Sequence, residues 1–143
     1  MPIKPENRSL YQKDWPAISR AAKERAGWKC QHPGCVAAQY SIGVWWRHEG
    51  VWKWAEQYPP EPTWKAARQV AAEAFWEVQH VGGEPCIVIV LTVAHLNHDP
   101  TDCRPENLAA MCQRHHLAYD HDHHRKNAQA TRRARAGTLE LFE

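Results

Sequence analysis

The sequence predicts a single α+β domain with a Trp-rich insert, on three observations. Its 143 residues suffice for one hydrophobic core and are too few for two. The run Cys86–Val93 is β-branched and bounded by turn residues, whereas 14–26 and 64–79 repeat apolar residues at helical spacing. Five cysteines, an odd number, argue against a complete disulfide framework. Apolar residues make up 43% and charged residues 24%, which excludes a wholly disordered, collagen-like or coiled-coil chain. The longest apolar run, Cys86–Ala94, is nine residues and too short to span a bilayer. The N-terminal residues lack the apolar stretch of a signal peptide, so a cytoplasmic protein with no membrane partner is expected.

Residues 1–13 are polar, contain Pro2 and Pro5, and read as an extended arm. Asp14 can cap a helix that has Pro16 in its first turn, Gly27 as its stop, and an apolar stripe of Trp15, Ile18, Ala22 and Ala26. Segment 36–85 is the insert. Within it Val44, Trp46 and Val51–Trp54 fit either short strands or an irregular aromatic cluster. Pro62 and Thr63 start a second helix over Trp64–Gln79, and Gly82-Gly83 breaks the chain. Cys86–Val93 then reads as one buried strand, and 97–107 as a Pro/Asp/Asn-rich loop. Leu108–Met111 is a second strand, and a helix follows from Gln113. The core thus falls on 86–127, with a basic tail over 128–143.

Charge is unevenly spread. Residues 1–30 carry seven Lys/Arg against three Asp/Glu, residues 31–103 four against eight, and residues 104–143 seven against five. The basic ends would meet a polyanionic partner such as DNA. Arg125, Lys126, Arg132, Arg133 and Arg135 suit backbone phosphates, as do Arg104 and Arg114. The insert is acidic, so its tryptophans read as core or as a protein-partner surface rather than as base-stacking platforms.

Two constellations carry chemistry. Cys30 and Cys35 are spaced C-x4-C around Pro-Gly, and Cys112 and His115 are spaced C-x2-H, with 76 residues between the pairs. Together they supply the four soft or borderline ligands of a structural Zn²⁺ that would pin remote parts of the chain. Cys86 reads as core, and Cys103 as a less favoured ligand. In the second constellation, His95 ends a strand, Asn107 opens the next, and His116 and Asp120 lie four apart on one helix face. An imidazole free to accept a proton opposite an imidazole–carboxylate metal site is the equipment of metal-assisted phosphodiester hydrolysis. The tract His121–His124 reads as a polar helix face or an incidental chelator.

The segment His95…Arg104-Pro-Glu-Asn107-Leu…Cys112-Gln-Arg-His-His116 resembles the HNH endonucleases, whose active site is a ββα-metal unit. The likeness covers 92–121, and Tyr11–Cys30 looks like the helix and zinc-knuckle entry of phage-type members. The resemblance implies a divalent-metal-dependent DNA endonuclease in a bacterial or phage-infected cell, leaving 5′-phosphate and 3′-hydroxyl ends. By position it makes His95 the general base, Asn107 the residue fixing the loop behind it, and His116 and Asp120 the ligands of Mg²⁺, Mn²⁺ or Ni²⁺. His115 stands where many members have a second Cys. Ala94 stands where many have a metal ligand, a place that Asn97, His98, Asp99 or water could take. Two other readings stand beside this one: a non-catalytic zinc-containing DNA-binding module, motivated by Ala94, and an interaction or inhibitor protein that uses the acidic Trp-rich insert on the same scaffold.

Overall fold

A computed structural model of the chain describes residues 5–81 and 85–140. Gly82 and Gly83, read as a chain break, lie outside the described residues. The segment expected to be an extended arm is instead a 3-10 helix over Pro5–Leu10. Proline at its first position presets φ and has no N–H to leave unpaired. Helix α1 spans Trp15–Arg25 with Pro16 in its first turn. The Asp14 backbone carbonyl accepts from Ala17 and Ile18, but its carboxylate caps nothing, contrary to expectation. Gly27, at φ +63°, turns the chain out of the helix. The predicted stripe is the packed one: Ala22 is buried, and Trp15 and Ile18 lie with it against Val93 and Leu108.

The insert begins with a true hairpin. Strands β1 (Ile42–His48) and β2 (Val51–Tyr58) pair in antiparallel fashion. They are joined by Glu49-Gly50 at φ +49° and +80°, the left-handed pair that matches strand twist. Its tryptophans divide by burial. Trp54 is buried with Trp45 packed on it at 5.2 Å, while Trp46 and Trp52 remain 44% and 41% exposed. Gly43 sits at an irregularity in the register, where a Cβ would fall 2.1 Å from the Ala55 carbonyl oxygen. Helix α2 (Trp64–Val81) is capped by Thr63, whose hydroxyl oxygen accepts from the Ala66 N–H. Ala67, Val70 and Ala71 of α2 pack with Ile42 and Val88.

The expected single strand Cys86–Val93 is two. β3 (Ile87–Val88) joins the hairpin in a sheet of order β2-β1-β3, whereas β4 (Leu91–His95) pairs with β5 (Leu108–Cys112). Cys86 is partly buried beside β3, against Ile42 and Val88. Between the strands Ile89 exchanges hydrogen bonds with the 40–41 backbone, donating to Ser41 O at 2.9 Å. Side-chain amides take the amides released at the break: Val90 donates to Gln113 Oε1 at 3.0 Å and Leu91 to Gln39 Oε1 at 2.6 Å. One apolar run therefore crosses from one sheet to the other. Helix α3 (Gln113–Glu140) continues over 128–140 of the predicted basic tail. Among the described residues, no helix is long and apolar enough to cross a membrane.

Candidate functional site

The ββα unit β4–β5–α3 positions two clusters on either side of the start of α3. On one side, the donor atoms of Cys30, Cys35, Cys112 and His115 all lie within 4.8 Å of one another, so the cluster could hold a metal ion. Local backbone explains how so distant a pair is brought in. Gly34, at φ +78°, lets the Cys30–Cys35 turn close, with Cys35 donating to His32 O. Gln31 then clips the turn to β5: its N–H donates to Ala110 O, and its Oε1 accepts from Ala110 N–H, both at 2.8 Å. His115 Nδ1 points at the sulfurs, 3.2 Å from Cys112 and 3.6 Å from Cys30. His32 stacks on the His115 ring at 3.9 Å, and Trp45 meets it edge-on at 5.6 Å, so the insert roofs this cluster. The Cys30 thiol is held well below its ordinary value, chiefly by a hydrogen bond from Cys112 and then by one from Cys35. Cys112 is pushed up by the same sharing. A cluster that offers three sulfurs and one nitrogen suits Zn²⁺. Cys103 is not part of it.

On the other side, an open groove of about 750 Å³ runs between α3, β4 and the 97–103 loop. His95, His116 and Asp120 line it together, joined by Tyr11, His98, His121, His123 and His124. His95 is 8% exposed, stacked on Trp15 at 4.8 Å with Tyr11 edge-on at 5.8 Å. Burial pulls its pKa below the ordinary imidazole value. The Asp99, Asp102 and Asp120 carboxylates partly offset this, and His116 adds to it. Within hydrogen-bonding reach of His95 Nε2 is the sulfur of Cys103, 3.7 Å away. A thiol is a weak partner, so the ring keeps its capacity to accept a proton.

Asn107 is buried and holds the loop behind His95 from both ends of its amide. Its Oδ1 accepts from Asn97 N–H at 3.1 Å, and its Nδ2 donates to Asn97 Oδ1 at 2.9 Å and to Asp102 O at 2.8 Å. Across the groove, Thr92 meets His116 Nδ1, and the Thr92 hydroxyl donates to Met111 O at 3.4 Å. Thr92 thus engages Nδ1 and leaves Nε2 to the helix. That nitrogen faces Asp120 Oδ2 at 3.0 Å. An imidazole and a carboxylate so placed could share a cation, and an imidazole oriented by a partner on its other nitrogen is the usual state of a metal ligand.

Not every predicted residue joins the groove. Arg104 is tied to Asp102 by two contacts of 2.8 Å and stands near Glu106. Arg114 turns to the insert, its guanidinium 3.9 Å from the centre of the Trp52 ring and 5.2 Å from that of Trp45. Neither lines the groove, contrary to their expected place flanking the site. Lys126, Arg132, Arg133 and Arg135 are exposed along the outer half of α3. Spacings of seven put Arg125 with Arg132, and Lys126 with Arg133, on one side of that helix. Ala94 is buried with Leu91, Ala109 and Met111 and offers no ligand. Of the three loop residues considered in its place, Asn97 is bonded to Asn107 and Asp102, and Asp99 to Thr101. His98 reaches Asp120. Sequence reasoning missed Cys103 beside His95, and also the approach of His123 and His124. Their positions depend on the path of the loop and the turns of a long helix. No family model, curated protein or solved structure matches the chain.

Proposed function

We infer that the protein is a divalent-metal-dependent DNA endonuclease with a zinc-stapled ββα fold, and that His95 is its general base. The observation that supports this most is a single groove shared by a buried imidazole and an imidazole–carboxylate pair on α3. In the reaction His95 removes a proton from a water molecule, whose oxygen forms a bond to the scissile phosphorus. The P–O3′ bond breaks, the O3′ takes a proton from solvent, and the ends are a 5′-phosphate and a 3′-hydroxyl. His116 and Asp120 would hold a divalent ion, which when bound supplies positive charge to the phosphate and the leaving oxygen. Asn107 keeps the loop, and with it the position of His95, fixed through the reaction. The exposed basic half of α3 supplies the affinity for the DNA backbone. A labelled duplex incubated with the zinc-loaded protein and Mn²⁺ should yield fragments that ligase can rejoin, the mark of those two end groups. Intact duplex with Mg²⁺, Mn²⁺ and Ni²⁺ alike would sink the enzymatic reading. Exposed Trp46, Val51 and Trp52 near the hairpin tip would then favour the interaction-protein reading.

A further inference from the structure

The ion pairs of Asp120 among the described residues are all with imidazoles, and none is with Lys or Arg. His98 Nδ1 lies 3.3 Å from Oδ1, His116 Nε2 lies 3.0 Å from Oδ2, and His124 Nε2 lies 3.9 Å from Oδ2. They come from two sources. His116, Asp120 and His124 follow one another at four-residue steps on one face of α3, while His98 arrives from the loop. Donors held about 2.1 Å from one ion stand roughly 3.0–3.4 Å apart; the His98 and His116 separations are of that size, each to a different carboxylate oxygen, and His124 would have to move in.

His98 is also held in place rather than left to find Asp120 by chance. Its backbone is left-handed, at φ +59°, and its N–H donates to His95 O at 3.0 Å. Its ring stacks on His123 at 4.2 Å and on Tyr119 at 5.3 Å. An uncommon backbone conformation and two ring contacts thus hold one imidazole against a carboxylate that already has another.

We propose that His98 and His124 complete the ligand set begun by His116 and Asp120, forming a three-imidazole, one-carboxylate centre that takes a first-row transition metal in preference to Mg²⁺. The proposal rests on the proposed catalytic role of His116 and Asp120. It replaces the ligand missing at Ala94 with one from the loop, on the far side of His95. Imidazole donors suit Mn²⁺, Ni²⁺ and Zn²⁺, whereas Mg²⁺ favours oxygen and retains water.

The test is Mn²⁺ binding to the full-length, zinc-loaded protein without DNA, followed by loss of the free-ion paramagnetic resonance signal. Thiolates keep Zn²⁺ against the harder Mn²⁺, so the signal reports the second site. Wild type should bind one Mn²⁺ per chain, and a tenfold excess of Mg²⁺ should not displace it. His98→Asn, which tolerates the left-handed backbone, and His124→Ala should each weaken binding by about tenfold or more. His48→Ala, on the hairpin, should not. Zinc content and melting midpoint establish that each variant is folded. Equal Mn²⁺ affinity in both groove variants and wild type, or no Mn²⁺ bound by wild type, would overturn the four-ligand centre. Binding with the expected losses but without DNA cleavage would uphold the centre and refute the nuclease reading.

Discussion

His95 shows how one side chain acquires a role from its surroundings. Trp15 and Tyr11 strip it of water, and burial depresses its pKa below the usual value near 6.5. A base works unprotonated, so a depressed pKa preserves activity at neutrality and moves its loss to lower pH. At saturating metal the acid limb of the cleavage profile should therefore fall below pH about 6.5; a half-maximal point above neutrality would contradict this. Asn107 makes a separate, structural contribution. Asn107→Ala leaves Asn97 N–H and Asp102 O without partners behind the groove. It should cost about 2–3 kcal/mol in denaturant unfolding, for three lost hydrogen bonds, two of which leave partners unpaired. At this scale His95, Asn107, His116 and Asp120 were legible because strand and helix periodicity fix their relative positions. His98 was one of three loop candidates and His124 part of a histidine tract, neither singled out, and Cys103 was not placed beside His95. The loop path that brings in Cys103 and His98 is not encoded in spacing, whereas His124 follows from the helical step after Asp120.

At the scale of elements, the hairpin and α3 carry separate consequences. Gly43 lets β1 approach the Ala55 carbonyl more closely than any side chain allows. Gly43→Ala should therefore destabilise the fold by about 3 kcal/mol or more, since backbone rather than a flexible side chain must move. The same change at Gly137, where nothing lies within 4 Å of the added Cβ, should have little effect on thermal melting. The outer half of α3 is exposed on every side from Arg125 to Gly137, so it adds little to the core. Ending the chain after Asn127 should leave the melting midpoint nearly unchanged but weaken DNA binding and flatten its salt dependence. A midpoint that collapses would show that this half packs on something. Helices α1 and α2 were readable from their apolar stripes. The split of Cys86–Val93 was not, because β3 and β4 are both apolar, and the amides that part them come from Gln39 and Gln113, far away in sequence.

Across the whole molecule, the Cys30, Cys35, Cys112 and His115 cluster links the chain's first third to its last, with the insert folded over it. An ion closing so long a loop contributes directly to folding, so chelation should lower the melting temperature by at least about 10 °C. Folded protein free of zinc would show that the cluster does not bind the metal. The cluster was legible from two short spacings, whereas the insert's role as its roof was not, since nothing in 36–85 names the surface it covers. His115 and His116 are adjacent on α3, one turned to the thiols and the other to the groove. The account thus sets a structural ion and a working one on opposite sides of the same helix. Its central claim is that this arrangement hydrolyses DNA with His95 as base. Relaxation of supercoiled plasmid by wild type and His95→Gln, at equal zinc content and saturating Mn²⁺, tests that claim most directly. The account predicts nicking by wild type and a loss of about 100-fold or more in the variant, with DNA affinity unchanged. Equal nicking by both proteins would contradict it.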